Sequence, residues 1–445
     1  MRAIYKIARL ELSNLFYSPV AWLLIVILVF MMGSTFTKFF EGVAQYKELD
    51  GDAMFYAMSE QIFYGDEGIW KTVKLMLFFI MPLLTMGLIS QEFSRGSIKL
   101  LFVAPITSRH IVLGKFLGMM MYGLLMFSVL LVYVILGGCW IESFDWAAVL
   151  TGLLGLYLLF GTYAAIGLFM STLTTYPIVA AIYMLALLTF LRFVSGLWQE
   201  YTFVRDITYW LALDRRAGTF INGMICSEDF LYFVIMTAMF LGFAILKLQF
   251  IRERRSMLSK VGRFLGVFIV AMLLGYVTSR PTLRFYHDST HTKPNTLTEA
   301  SQEIVSKLDG GLKMTTYVNL FGSIYNITPA KVMADIARYN SYIRFKPETK
   351  MDYVFYYYTD TTDGFFAHRF AGKTLSEAAK EMAKFQGVNA KKYVPLSKVD
   401  PDVDLRDEGY RFVVLLEREN GEKTFLRDRK STRLNSSHVA LSRMP

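Results

Sequence analysis

One run of residues has the types needed to hold a nucleotide phosphate. Residues 367–374, Ala-His-Arg-Phe-Ala-Gly-Lys-Thr, satisfy a relaxed phosphate-loop pattern between a strand-like run at 353–358 and a helix-like run at 376–385. A phosphate loop needs several backbone amides curled around phosphate and an acidic partner for magnesium. This run has a single glycine and no evident acidic partner. We therefore expect no nucleotide binding here.

Metal and nucleophile chemistry are equally weak. His287 and His291 have the four-residue spacing of zinc ligands on a helix, but Pro281, Pro294 and Asn295 around them favour a solvated loop. The two cysteines, Cys139 and Cys226, form no zinc motif; a bond between them is conceivable, but two unrelated thiols are favoured. We find no zinc-protease motif and no glycine-flanked serine in the apolar half, so an intramembrane hydrolase is disfavoured. We expect a protein that is not an enzyme, with no cofactor and no metal.

A more informative pattern lies between residues 82 and 115. An apolar stretch ends at Ser90, a charged turn covers 91–97, a short amphipathic piece ends at Pro105, and a second turn leads into the next apolar stretch. This order predicts a short cytoplasmic helix held against a membrane. Such a helix is suited to docking a partner protein.

This stretch resembles the type-2 ABC exporter permeases. In that family the second span ends in an acidic residue, followed by a glycine, a leucine-rich piece, a Pro-(Ile/Val)-(Thr/Ser) turn and Gly-Lys. The residues that match in order are Glu92, Gly96, Leu100, Leu101, Pro105, Ile106, Thr107, Gly114 and Lys115. Ser18-Pro19 before the first span and the run 167–174 closing the fourth match the same family.

The resemblance implies a separate cytoplasmic ABC ATPase subunit, because the motor's phosphate loop and signature loop do not fit inside the membrane half. It also implies a second permease, either another copy of this chain or a paralogue. The residues expected to couple to the ATPase are Glu92, Arg95, Gly96, Leu100, Leu101, Pro105 and Thr107.

Composition determines which elements must position these residues. The chain has 445 residues, of which 54% are hydrophobic, more than a soluble domain usually carries. Spanning a lipid bilayer takes about 20 apolar residues in a helix. Seven stretches meet or approach that length, the last being the shortest: residues 19–37, 73–90, 116–138, 147–170, 178–197, 230–248 and 264–279.

Lysine and arginine in the short loops predict the orientation. Basic residues concentrate in the amino-terminal arm, in the loop 91–115 and in the segment 247–263, whereas the alternate loops are acidic or neutral. We expect a bacterial inner-membrane protein with a cytoplasmic amino terminus and with residues after about 281 in the periplasm. The first span reads as an anchor, not as a cleaved signal peptide. The net charge of +10 is thereby explained by topology, and no nucleic-acid partner is expected.

Two further features of the apolar half leave alternatives open. In the arm, Ile4, Ile7, Leu10, Leu15 and Phe16 fall near one side of a helix, which predicts an amphipathic helix in the membrane interface over residues 1–17. A plain positively charged flank is the alternative. Arg192 lies within the fifth stretch, where it either reaches the interface or faces another helix or a polar pathway.

Residues 281–427 have ordinary, charge-rich sequence. Strands are predicted at 313–320, 351–358 and 410–417, with a helix at 329–340, and this alternation is typical of an α/β unit with parallel strands. The beginning of this region resembles the auxiliary domain of gliding-motility ABC systems, in which an Arg and an Asp-Leu-Thr precede a Leu-Ser and a helix. Here Arg284 and Asp288 are present and Ser289 replaces the leucine. We expect a binding or scaffolding role.

The last residues differ in character from the rest. Residues 428–438 resemble a translated sequencing-library adapter, so we expect 428–445 to be an artefactual tail and the auxiliary domain to be truncated.

These observations predict an α-helical polytopic membrane protein followed by a soluble α/β domain. The expected parts are an interfacial helix at 1–17, a permease at 18–249, a basic linker and seventh span at 250–280, and an extracytoplasmic domain at 281–427. The predicted function is the permease subunit of an ATP-driven ABC exporter of gliding-motility type. The alternative is a membrane-anchored scaffold or motility component that acts through its outer domain.

Overall fold

A computed structural model describes most of the chain. The described residues are 2–50, 58–65, 68–141, 143–196, 201–253, 256–280, 284–307, 310–322, 327–360, 368–399, 403–406, 409–410 and 412–426. The expected adapter-like tail at 428–445 lies outside them. The chain divides into two compact units, here called the membrane unit (residues 1–194 and 210–292) and the soluble unit (residues 195–209 and 293–445).

The first part of the chain is almost entirely helical. Its helices are α1 (Arg2–Phe16), α2 (Pro19–Asp50), α3 (Ile69–Thr85), α4 (Ser90–Ser94), α5 (Ile98–Val103), α6 (Ser108–Trp140), α7 (Trp146–Ser171), α8 (Pro177–Phe193), α9 (Thr202–Leu211), α10 (Leu213–Ile221), α11 (Ser227–Arg252) and α12 (Met257–Thr278). A π-helical turn at Glu60–Tyr64 precedes α3.

Six helical segments among the described residues are long and apolar enough to cross a membrane, and these segments contain α2, α3, α6, α7, α11 and α12. The predicted fifth span is shorter than expected, since α8 has 17 residues and ends at Phe193 in a 3-10 turn. The predicted seventh span is longer than expected, since α12 has 22 residues. Arg192 lies in the last turn of α8 with an exposed side chain, 5.7 Å from the centre of the Phe78 ring.

The centre of the membrane unit is α7. In its most apolar window 78% of the residues are buried, compared with 11% for α12 at the periphery. Glycines let neighbouring side chains approach its backbone: a Cβ at Gly155 would collide with Phe220, and one at Gly167 would collide with Thr85. Close packing of this kind needs small residues, because lipid-solvated helices associate through shape complementarity.

The soluble unit is an α/β domain. Its main sheet has the strand order β5-β4-β3-β6-β7, formed by β3 (Leu312–Asn319), β4 (Lys350–Tyr357), β5 (Val394–Pro395), β6 (Val413–Arg418) and β7 (Lys423–Leu426). Strand β4 pairs parallel with both β3 and β5, whereas β6 pairs antiparallel with both β3 and β7. Its helices are α13 (Glu299–Ser306), α14 (Val332–Arg338), α15 (Asn340–Phe345) and α16 (Leu375–Phe385).

The structure confirms an α-helical polytopic membrane protein followed by a soluble α/β domain. The three predicted strands correspond to β3, β4 and β6, and the expected parallel pairing holds for β3 with β4. The predicted helix at 329–340 is instead two short helices that meet at Tyr339.

Burial raises the pKa of the Tyr353 hydroxyl, and its hydrogen bond to Asp335 at 2.7 Å raises it further. Tyr353 is therefore a permanent donor that ties β4 to α14.

Candidate functional site

Residues 90–107, here called the coupling segment, form two short helices joined by a tight turn. Helix α4 ends at Ser94, Gly96 has a positive φ of 74°, and α5 follows from Ile98. Only glycine adopts this left-handed conformation without strain, which explains its position between the two helices. Thr107 then caps α6, accepting a hydrogen bond from the His110 amide.

The first anchor of the coupling segment is the end of α7. The Ser171 hydroxyl oxygen accepts hydrogen bonds from the amides of Ile89 and Ser90, both at 2.8 Å, and donates to the Met86 carbonyl at 3.1 Å. These amides lie where the chain breaks between α3 and α4, so they lack their usual helical partners. Ser171 therefore joins the most buried helix of the unit to the start of the coupling segment.

The second anchor is a buried charge cluster. The Lys115 ammonium lies 2.7 Å from Glu11 and 3.4 Å from Glu92, and the three side chains are 6%, 10% and 27% exposed respectively. Glu92 also accepts a hydrogen bond from the Ser97 hydroxyl. A buried ammonium is stable only when paired, so Lys115 holds α1 and α4 to the beginning of α6.

Helix α1 packs directly on α6 beside this cluster. A Cβ at Gly114 would lie 2.7 Å from Ile7, and one at Gly118 would lie 2.9 Å from the Ala8 carbonyl. The predicted arm is thus a helix, α1. Its buried side contains Ala8, Glu11 and Leu15, whereas Leu10 is 63% exposed and Phe16 is 40% exposed. Glu11 is the residue of this buried side that pairs with Lys115.

The third anchor is Arg252, the last residue of α11. Its guanidinium donates to the carbonyls of Phe102 at 2.8 Å and Ile106 at 3.0 Å, and it lies 5.2 Å from the centre of the Phe102 ring. Carbonyls at the end of a short helix such as α5 lack intrahelical donors. The planar guanidinium supplies two donors in a fixed geometry.

Between these anchors, several side chains in the middle of the coupling segment are exposed. Leu100 is 75% exposed and Val103 is 86% exposed, and the side chains of Arg95, Lys99 and Pro105 are exposed as well. Leu100 and Val103 thus form a small exposed apolar surface flanked by the cations Arg95 and Lys99.

The structure places the seven expected coupling residues on one continuous segment. Arg95, Gly96, Leu100, Pro105 and Thr107 are exposed, Glu92 is partly buried in the charge cluster, and Leu101 packs inward against the apolar core. Sequence reasoning missed Glu11, Ser171 and Arg252 as partners of this segment. The one signal available was Glu11 itself, a carboxylate in the apolar stripe of an amphipathic helix.

The two chemical patterns outside this segment have structural roles. Thr374 caps α16 through reciprocal hydrogen bonds with Glu377, and Lys373 pairs with Glu381. The expected loop around His287 and His291 contains a short strand, β2 (Tyr286–Asp288), that was not predicted. Both histidine side chains are exposed as expected, whereas Asp288 and Thr290 are buried. Among the described residues no three His, Cys, Asp or Glu side chains cluster as metal ligands, and no disulfide joins Cys139 and Cys226.

Comparison with known protein families indicates a membrane transport protein. Residues 5–203 match the family described as ABC-2 family transporter protein. The match supports an ABC-2 type permease, the membrane subunit of an ABC transporter, for this part of the chain. No curated protein matches the chain. The matched residues contain the whole coupling segment, Glu11, Lys115 and Ser171, whereas α10, α11, α12 and most of the soluble unit lie beyond them.

Proposed function

We propose that this chain is the permease subunit of an ATP-driven exporter and that its coupling segment receives the force of a separate cytoplasmic ABC ATPase. The supporting observation is the arrangement of the segment. It is exposed in the middle at Leu100 and Val103 and is anchored at its edges to α1, α6, α7 and α11. A partner that pushes on the middle would therefore move four helices at once.

The finer parts of the proposal rest on the sequence patterns. The ATPase would bind Arg95, Gly96, Leu100, Pro105 and Thr107 directly, while Glu92 and Leu101 would hold the segment in position. The amino terminus would be cytoplasmic and the soluble unit periplasmic, in a bacterial inner membrane. A second permease copy or paralogue would complete the translocation path, in a system similar to those of gliding motility, with the soluble unit as its auxiliary domain.

The test is co-purification of the detergent-solubilised chain with its natural neighbours, scored by ATPase activity. Leu100→Glu places a carboxylate in the middle of the exposed surface, and 75% exposure means that it should not disturb folding. We expect at least about a tenfold loss of co-purified ATPase, equivalent to about 1.4 kcal/mol. Leu258→Glu, at a site that is 85% exposed in the first turn of α12, is the matched control and should retain the ATPase.

Glu92→Lys tests the support of the segment in the same assay. It places a second ammonium beside Lys115, so we expect loss of the ATPase through displacement of α4. A wild-type chain that is folded and membrane-inserted but brings down no ATPase would contradict the proposal. That result would favour the alternative of a membrane-anchored scaffold acting through the soluble unit.

A further inference from the structure

The chain that follows α12 is tied to the membrane unit through residues 284–292, here called the strap. Its strand β2 pairs antiparallel with β1 (Met224–Cys226), which immediately precedes α11. Ser227, the first residue of α11, donates its amide to the Phe285 carbonyl, and its hydroxyl accepts from the Phe285 amide, both at 2.9 Å. The strap is thus bonded to the beginning of α11.

The rest of the strap is bonded to the beginning of α7. The His291 amide donates to Asp145, the N-cap of α7, at 2.8 Å, and the Ser289 hydroxyl accepts from Thr151 at 3.1 Å. The Ser289 amide donates to the Gly223 carbonyl at 2.9 Å. Gly223 has a φ of 80°, and a Cβ there would lie 2.6 Å from Thr290, so only glycine fits beneath the strap.

Glu228, in the first turn of α11, joins the strap to two other elements. Its carboxylate lies 3.0 Å from the Arg284 guanidinium of the strap and 2.8 Å from Arg216 of α10, and it accepts a hydrogen bond from Ser279 at the end of α12 at 2.9 Å. Asp229 lies 2.6 Å from the same Arg216. Charge-assisted hydrogen bonds of this kind are the strong ones.

At each end of helix α11, therefore, a charged side chain binds another element. Arg252 at one end binds the carbonyls of the coupling segment, and Glu228 at the other end binds the strap. The helix has 26 residues, so about 39 Å separates its ends. A hydrogen-bonded α-helix packed against α7 and α12 shifts as a unit, since its backbone bonds resist compression along the axis.

We propose that α11 transmits displacement of the coupling segment to the strap, with Arg252 and Glu228 as positioning residues at its two ends. The proposal rests on the proposed function, because an ATPase must supply the displacement. The strap is the last segment of the membrane unit before the soluble unit begins at Lys293. ATP binding on one side of the membrane would thereby loosen or tighten the strap on the other side.

A cysteine within the strap reports whether the strap is docked. Thr290 is 3% exposed, so Thr290→Cys, with Cys139 and Cys226 replaced by serine, reacts with a maleimide only when the strap opens. The reaction rate is measured on the complex with its co-purified ATPase in lipid nanodiscs, with ADP and with ATP plus vanadate. We expect the two rates to differ by at least about fivefold, the lower end of typical allosteric coupling.

Variants at the two ends of α11, with a control on α12, localise the path. Arg252→Ala should make the rate independent of nucleotide, Arg252→Lys should restore part of the response, and Arg263→Ala, an exposed arginine on α12, should retain it. Glu228→Gln should raise the rate without nucleotide, because Arg284 loses a charged partner.

The outcomes separate this inference from the proposed function. A complex whose ATPase is active but whose labelling rate at position 290 ignores nucleotide would overturn transmission and leave the permease function standing. Loss of the ATPase together with the response in Arg252→Ala would assign Arg252 to the docking surface and also overturn it. A chain that binds no ATPase at all refutes the proposed function itself.

Discussion

At the scale of single residues, Lys115 carries the charge balance of the candidate site. Its side chain is 6% exposed and faces two carboxylates, Glu11 and Glu92. Burying an ion pair contributes little net stability, but removing one partner leaves a charge with neither water nor a counter-ion. The pair therefore specifies how α1 meets α6 more than it stabilises the fold.

Lys115→Met should accordingly destabilise the membrane unit by about 3 kcal/mol, because Glu11 is left buried and unpaired. The measurement is thermal unfolding of the detergent-solubilised chain. The double variant Glu11→Leu with Lys115→Met should recover most of the loss, since apolar side chains of similar size replace the pair. If the destabilisation of the double variant equals the sum of those of the single variants Glu11→Leu and Lys115→Met, the two side chains are not energetically coupled.

At the scale of elements, α1 is positioned by the small residues of α6. The Gly114 and Gly118 positions let the α1 backbone come close enough for Glu11 to reach Lys115. A larger residue at either position would push α1 away from α6. The contact at Gly118 involves the Ala8 carbonyl oxygen, which a rotamer change cannot move.

Gly118→Ala should therefore weaken docking of α1 by about 1–3 kcal/mol. Trypsin provides the measurement, because a released α1 exposes its cleavage sites at Lys6 and Arg9 to the protease. We expect faster cleavage there in the variant than in the wild type. Gly266→Ala on α12 is the matched control, since a Cβ there has no neighbour within 4 Å. Equal cleavage in the two variants would count against the docking of α1 through Gly118.

At the scale of the whole molecule, the chain is two units with separate cores. In the soluble unit, the Asn319 side chain joins backbone segments at the carboxyl ends of β3 and β4 by hydrogen bonds. Its amide nitrogen donates to the carbonyls of Tyr358 at 2.7 Å and Tyr410 at 2.9 Å. Its amide oxygen accepts from the backbone nitrogens of Phe321 at 3.2 Å and Tyr358 at 3.1 Å.

Asn319→Ala should open the soluble unit while leaving the membrane unit intact, because it removes partners from backbone groups at a cost of about 1–3 kcal/mol each. Limited proteolysis of the full chain, followed by mass spectrometry, should show new cuts within residues 293–426 and unchanged protection of 68–194. Asn420→Ala, at an exposed turn, is the control. New cuts in the membrane unit would indicate that the two units unfold together.

Local patterns predicted much of this structure. The apolar runs identified all seven helices of the predicted spans, and α8 begins at Pro177, one residue before the predicted span at 178–197. The alternation of strand-like and helix-like segments located β3, β4 and β6. The pattern Glu92, Gly96 and Pro105 located the coupling segment, and Gly96 has the left-handed conformation that a turn requires.

Partners distant in sequence could not be predicted in this way. Ser171 lies more than 80 positions after Ile89, and Arg252 lies 150 positions after Phe102. Arg252 also lies in a cluster of basic residues that the positive-inside rule explains without any specific contact. Strand β2 of the strap was not predicted because three residues of strand between prolines give too short a pattern to recognise.

The sequence by itself determined which segments are long and apolar enough to cross a membrane, where a tight turn interrupts them at Gly96, and that an α/β domain follows them. Each of these depends on the hydrophobicity and turn preferences of neighbouring residues, which are local quantities. Only the tertiary structure decided that Lys115, Ser171 and Arg252 anchor the coupling segment and that Glu228 holds the strap. Those contacts depend on which helices lie side by side, and that depends on the packing of the whole membrane unit around the glycines of α7.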